Sequence, residues 1–569
     1  MPLAASSVSP GLLDSIKYML SRFFNNLTRR SGGDKVQPAH QRIRTERIDK
    51  ETQKYIRSCQ KKWNPEKRAA LAPVVLVGMF DAPLVAHALG TVGNFLADHY
   101  RARLATTTFV PYRTTRLDAI FAAFGAPVEV GYQDEAKFRQ PILDRAKEIY
   151  ANLTCRRDVL SISHRDIPVG DMIYDTYLRV YFKATLEYRD PRLLDLIYDA
   201  LLIVEICLDY LSRHEVRAFL GTDLVYQFDG ILARICAGKG IPAYTLSLDP
   251  LVLKKNDSEF GHGNRADFAS WPARGRYGPL PKLMNSLSPE RKEAGRRWSE
   301  ANMKNRFAGK ADVTNVIWGE TNTVYQAPTT KRLLSDTGRP RCLIMLHDFC
   351  DGCHYYPLTT FEDFYEWTIY TLTEAAKTPF DWHVKPHPLR YDKDIDRLTF
   401  SIADEIKRRF PNVRVLSPEC SNRQILEEGI HSMFTLHGSG ALEFACFKVP
   451  VVSAGAPPYR NCRFQLCPAD KAEYAAMIAK ADRLEVKIDL DELHLAHYLN
   501  SDQYYLDQLQ TQTYVVPPSV LESPDFRKNR YKKSFFQTLA THVDPAHDEA
   551  VKRCLQQCLE IQGEGSPAS

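Results

Sequence analysis

The sequence contains no apolar run approaching the roughly 20 residues that cross a bilayer, and no basic leader with a short apolar core opens it. The expectation is therefore a cytoplasmic chain, neither integral to a membrane nor secreted. A strong charge of either sign is also missing. The 75 basic and 69 acidic side chains leave +6 over 569 residues, too little to argue for a nucleic-acid partner. No internal repeat of solenoid length occurs. The cysteines number 13, which is odd, and they are scattered through apparent strands and helices. That excludes a secreted disulfide framework and fits reduced core thiols. With 44% hydrophobic residues the composition is that of a globular protein. At this length the chain should hold two domains of ordinary size plus extensions.

What is present is organised around residues 341–456. An apolar run Cys342–Leu346 is followed by a predicted helix over 361–377 and a short strand ending at Lys385. Next come a helix from Asp394, strand Val413–Leu416, a helix from Gln424, strand Met433–Leu436, a helix from Ala441 and strand Val449–Ser453. Strand and helix alternate, which is the signature of a parallel sheet covered on both faces. Runs such as Cys342–Leu346 are apolar throughout because both of their faces are buried. The helix over 361–377 carries Thr360 and Asp363 as an amino-terminal cap, with Glu362, Asp363 and Glu366 at the positive end of its dipole.

Two loops at strand ends carry the chemistry, since ligands of open α/β sheets bind outside the carboxyl ends of the strands. In W-H-V-K-P-H-P at 382–388, Lys385 supplies a cation and His387 an imidazole, held by Pro386 and Pro388. In H-G-S-G-A-L-E at 437–443, Gly438 and Gly440 allow close backbone approach and Ser439 offers a hydroxyl. The following helix start favours an anion. Either loop alone reads equally as an ordinary turn or a packed surface histidine, and Lys385 as the partner of a structural carboxylate. Together, at the edge of one sheet, they read as a phosphate-binding site.

His387-Pro388, the Gly/Ser turn with Glu443 and the strand F-K-V-P-V-V together resemble bacterial capsule polysaccharide biosynthesis glycosyltransferases. That family includes the Kdo transferases and, more distantly, sialyltransferases with an HP motif and a serine motif. The segments L-H-D-F-C-D-G-C-H-Y-Y, containing His347 and Asp348, and G-D-M-I-Y-D-T-Y-L-R at 170–179 are similar to parts of it as well. The resemblance spans roughly residues 75–460. It implies an α/β, GT-B-like fold: two Rossmann-like domains facing a cleft, the second holding the nucleotide sugar. It further implies His387 and Ser439 at the nucleotide phosphate and Glu443 near the ribose or base.

The implied division is a helical extension at 1–72, an acceptor domain with a helical insertion at 73–325, a nucleotide-sugar domain at 326–470, and helices with a basic, polar tail at 471–569. In the first domain, strands are expected at Val74–Val77, Ala102–Phe109, Pro127–Val130, Val216–Leu220 and Ile241–Thr245. Helices are expected at Leu84–His99, Thr115–Phe124, Arg192–Arg213 and Gln227–Lys239. Asp81 at the first strand end could be a catalytic carboxylate or, with Pro83 in the first turn, a helix cap. Asp223, after the fourth strand, is the other candidate for the base or nucleophile. Tyr174, Tyr177, Asp171 and Asp175 of the 170–179 segment could line an acceptor-sugar site or pack a helical insertion. Residues 255–311 read as a long irregular connection.

Two further features stay open. Cys350 and Cys353 lie between His347 and His354 at spacing suited to zinc, but no second pair completes a closed site. Residues 12–30 could form an amphipathic helix lying on anionic lipid together with the basic cluster 527–533, or could pack on the protein body.

The function expected is nucleotide-sugar-dependent glycosyl transfer onto a bacterial surface polysaccharide or glycolipid. The resemblance favours Kdo or a related acidic sugar from a CMP donor, with UDP-sugars as the other option. No metal is required, because His387 and Lys385 can neutralise the phosphate, and Mg²⁺ is compatible. The alternatives are an epimerase or CDP-alcohol phosphotransferase on the same fold, or an inactive partner in glycan assembly. The location expected is the cytoplasm, with a peripheral position on the plasma membrane's inner face if the first helix binds lipid.

Overall fold

The computed structural model describes residues 45–109, 113–222, 224–248, 250–256, 280–310, 325, 327–354, 360–388, 393–521, 526, 532–541 and 544–563. The expected lipid-binding segment 12–30, residues 527–531 of the basic cluster and Asp223 lie outside them. No helix of the described residues is long and apolar enough to cross a membrane.

Helix α1 (Lys50–Trp63) is capped by Asp49, whose carboxylate accepts from the Thr52 N–H, and it precedes the first sheet. Strand β1 (Val74–Val77) has every residue buried and lies centrally. Helix α2 (Pro83–His99) leads to β2 (Arg103–Thr108), and α3 (Thr115–Ala123) leads to β3 (Val128–Gly131). After α4 (Gly170–Tyr181) and α5 (Arg192–Arg213), β4 (Val216–Gly221) returns to the other side of β1. Helix α6 (Gln227–Gly238) leads to β5 (Ala243–Leu248) and the antiparallel edge strand β6 (Leu251–Asn256). The order is β3-β2-β1-β4-β5-β6, parallel except for β6.

The second sheet follows helix α7 (Pro289–Phe307). Its strands are β7 (Arg341–Met345), β8 (Asp381–Lys385), β9 (Arg414–Val415), β10 (Ser432–Thr435) and β11 (Val451–Ser453), with α8 (Phe364–Ala375), α9 (Lys393–Arg409), α10 (Asn422–Glu428) and α11 (Gly440–Cys446) between them. The order β9-β8-β7-β10-β11 is parallel throughout. Both sheets start in the middle, build to one side and then jump to the other. This is the doubly wound Rossmann order, and two such sheets in one chain make the α/β, GT-B-like architecture. The chain then turns back: α12 (Leu490–Leu499) packs on α7, whereas α13 (Phe535–Thr541) lies on α1 and α14 (Pro545–Ile561) on β6.

Several local expectations are corrected. The helix expected over 361–377 spans Phe364–Ala375, and Asp363 alone is the cap, accepting from the Glu366 N–H at 2.7 Å. Residues 361–362 are drawn out of it, because the Glu362 carbonyl bonds the His354 ring at 3.0 Å and its carboxylate pairs with Arg156 at 3.2 Å. Asp81 does not cap α2. Ala82 occupies that position without a side-chain bond, and Asp81 turns to the Arg116 guanidinium. The irregular connection expected at 255–311 contains the 19-residue helix α7, begun by Ser288, whose hydroxyl accepts from the Arg291 N–H at 3.3 Å, and by Pro289 in the first turn.

Candidate functional site

At the carboxyl edge of the second sheet, three adjacent strands each end in a histidine. His387 follows β8, His347 follows the central strand β7, and His437 follows β10, so the three straddle the point where the strand order reverses. The His347 and His437 rings lie 4.9 Å apart, and Phe364 stacks on His347 at 4.5 Å. The Nε2 of His347 faces the N–H groups of Leu436 (3.3 Å) and His437 (3.4 Å) and the Thr435 hydroxyl (3.2 Å). A backbone N–H can only donate, so Nε2 carries the lone pair and Nδ1 the proton. Burial first, then the neighbouring imidazoles of His437 and His387, holds His347 well below the ordinary histidine range. Burial brings His437 down to about 4. Uncharged rings therefore line this edge near neutral pH.

Lys385, the last residue of β8, is 1% exposed, and its Nζ has no hydrogen-bond partner among the described residues. Burial lowers its pKa, while Cys420 and Glu443 act in the opposite direction. A buried ammonium without hydrogen bonds is costly, and it is the kind of group that an anionic ligand completes. Ser439 stands at the start of α11 with its hydroxyl exposed and making no cap bond. Gly438 and Gly440 have no left-handed backbone; they serve packing within the protein. A Cβ on Gly438 would lie 3.0 Å from Thr435 Oγ1 and 3.3 Å from His347 Cε1, and one on Gly440 would lie 3.1 Å from Met345 Sδ. His387 is half-buried and its Nδ1 lies 2.9 Å from the Pro388 carbonyl, which makes Nδ1 a donor.

The remaining expected residues are placed differently. Glu443 is buried with both oxygens engaged, Oε1 by Arg306 (2.6 and 2.7 Å) and Oε2 by the Tyr325 hydroxyl (2.7 Å). A ribose could reach it only by displacing one of them. Asp348 Oδ1 accepts from the Cys350 N–H at 3.2 Å. Asp81 belongs to the first sheet, where the Arg116 guanidinium is shared by Asp81 and Glu46 and Glu46 also pairs with Lys533. Lys533 of the basic cluster is thus bound to the protein body. No described contact joins Asp81 to the histidine edge.

The 170–179 segment spends its polar groups internally. Asp171 holds Arg234 with both oxygens (2.8 and 2.9 Å), Tyr177 bonds Asp190 (2.7 Å), Tyr174 bonds Asp363 (2.6 Å) and Asp175 bonds His354 (2.6 Å). The two thiols of the C-x-x-C pair diverge, with Cys350 Sγ on Asp348 and Cys353 Sγ on Asp175. Asp175, Cys353 and His354 do converge. Even so, 2.6 Å between Nδ1 and Oδ1 is a hydrogen-bond distance, whereas two ligands each about 2.0–2.2 Å from one tetrahedral zinc would sit farther apart.

Sequence reasoning missed Asp229. It lies in the first turn of α6, buried, with its carboxylate filling the space where a Cβ on Gly78 would be, between the carboxyl ends of β1 and β4. The available signal was an acid two residues into the helix that follows a strand end.

Fold and site together define an α/β protein of two Rossmann-ordered sheets with an anion-deficient edge on the second. No family model matches the sequence, and no curated protein matches it. Among solved structures, the chain is similar to Thermosulfurimonas dismutans KpsC, a beta Kdo 2,4 transferase, at 14% identity over 50% of this chain and 79% of that one, with a TM-score of 0.31. It is also similar to Methanocaldococcus jannaschii UDP-GlcNAc 2-epimerase in complex with UDP-GlcNAc and UDP, at 11% identity over 74% and 97%, with a TM-score of 0.25. Overlaps this loose give no residue-to-residue correspondence.

Proposed function

We propose that the chain is a nucleotide-sugar-dependent glycosyltransferase whose donor phosphate binds at the carboxyl edge of the second sheet. The observation that carries this reading is the buried ammonium of Lys385, without a hydrogen-bond partner among the described residues, on the same strand-end edge as the uncharged imidazoles of His347 and His437 and the open Ser439 hydroxyl. Such an edge supplies one cation and several directed donors to a phosphate leaving group, the transition-state stabilisation that glycosyl transfer needs. His387 is the leaving-group residue in this proposal. The favoured donor is a CMP-activated acidic sugar of the Kdo type, by the sequence resemblance alone, with UDP-sugars second. The acceptor is a surface glycan or glycolipid.

The domain division proposed with it puts the acceptor side in residues 73–325 and the nucleotide side in 326–470, with 1–72 and 471–569 as extensions. The acceptor-side carboxylate is sought among Asp81, Asp223 and Asp229, which act as base or nucleophile in this scheme. Asp81 holds Arg116, and Asp229 is buried between the carboxyl ends of β1 and β4. Contact with anionic lipid rests on the sequence of residues 12–30; a chain lacking its first 40 residues should no longer sediment with anionic liposomes.

Acceptor-dependent release of CMP or UDP from a panel of nucleotide sugars, with and without EDTA, tests the activity. Release unaffected by EDTA is expected, because Lys385 and the imidazoles take the place of a metal. UDP-sugar conversion without any acceptor would favour an epimerase, and no turnover of any donor would overturn the proposal.

A further inference from the structure

Residues 346–354 and 360–363, which follow the central strand of the second sheet, are gripped by the first half of the molecule. Tyr174 of α4 bonds Asp363, Arg156 pairs with Glu362, and the Tyr226 hydroxyl lies 3.4 Å from Asp351. A further contact is at His354, which is buried along with Asp175. Its Nε2 lies 3.0 Å from the Glu362 carbonyl, an acceptor only, so Nε2 bears a proton. Its Nδ1 lies 2.6 Å from Asp175 Oδ1, which requires a second proton between ring and carboxylate. Asp175 also accepts from the His354 N–H (3.1 Å) and faces the Cys353 thiol (3.2 Å). Two residues past Glu362, Phe364 stacks on the His347 ring at 4.5 Å and lies 5.2 Å from the His437 ring. The His437 N–H in turn faces Nε2 of His347.

We propose that Asp175 and His354 are positioning residues that hold Glu362, and through the adjoining Phe364 the His347 and His437 rings, in register, so that a helix of the first half sets the geometry of the anion edge on the second. The path Asp175, His354, Glu362–Phe364, His347 and His437 is continuous in hydrogen bonds, covalent links and ring contacts. It joins two sheets that otherwise present separate carboxyl edges. The inference rests on the reading of that edge as the nucleotide site.

The test compares Asp175→Asn with Asp171→Asn in the full chain. Asp171 lies one helical turn earlier and also holds a buried charge pair, but with Arg234 inside the first half. Both variants should melt earlier. Only Asp175→Asn should shift the ¹⁵N resonances of the His437 ring and weaken CMP and UDP binding, by on the order of 3- to 30-fold. His354→Gln, which keeps an amide donor for the Glu362 carbonyl, is the second variant should Asp175→Asn fail to fold, and it should reproduce the same signature. Unshifted His437 resonances in the folded variant, or equal shifts in Asp171→Asn, would overturn the proposal. A wild-type protein that binds no nucleotide would sink the proposed function, while the His437 resonances would still decide the positioning role.

Discussion

The carboxyl edges of the two sheets share a strand order and differ in their electrostatics. On the first, the charged groups neutralise one another: Asp81, Glu46, Arg116 and Lys533 form one network, and Arg113 clasps Asp118 at 2.9–3.2 Å. On the second, Lys385 is buried with no hydrogen-bond partner among the described residues, Ser439 is open, and His347 and His437 are kept uncharged. One edge is satisfied by the protein itself. The other holds a buried cation, and that difference, not the shared fold, is what the proposed phosphate site rests on.

The largest effect that would break this comparison is on the satisfied side. Arg116→Met strands two carboxylates around a buried site and should cost about 3–5 kcal/mol in urea unfolding. A loss below about 1 kcal/mol would mean that the network is solvated and the contrast false. On the deficient side the sign reverses. Lys385→Met removes an uncompensated buried charge and should raise the melting temperature of the ligand-free protein. His387→Ala should weaken nucleotide binding by about 1–3 kcal/mol, and Ser439→Ala by about 0.5–1.5 kcal/mol without changing stability, because the hydroxyl has no protein partner to lose.

A further effect is with pH. His437 titrates at about 4 in the folded protein, below the ordinary value of 6.5, so the unfolded chain binds a proton that the folded site refuses. The stability contribution is therefore complete above pH 6.5 and is lost as the pH falls from there toward about 4. Urea midpoints at pH 7 and pH 5 check this, and His437→Gln should flatten the difference.

The second sheet was legible because its strands are buried on both faces and read as uninterrupted apolar runs between capped helices. Helix α7 was not, although Ser288 and Pro289 form a start signal, because the arginine and glycine content of its surroundings obscured it. The two motif loops were found at the right strand ends, yet the reason for their glycines was not visible. Gly438 makes room for the His347 ring, a partner nearly a hundred residues earlier. Charges were the least legible of all. Nothing near Asp81, Glu443 or Asp175 in sequence announces Arg116, Arg306 or His354, because such pairings are set by the tertiary fold. The same holds for the absence of a partner at Lys385, which is where the candidate site shows itself.

The most direct test is calorimetric titration of CMP and UDP into the wild-type chain and into Lys385→Met. The account predicts that a nucleotide binds the wild-type protein and binds the variant at least about tenfold more weakly, the loss expected for a charged hydrogen bond, even though the variant is the more stable protein without ligand. Equal affinity in the two proteins would contradict it.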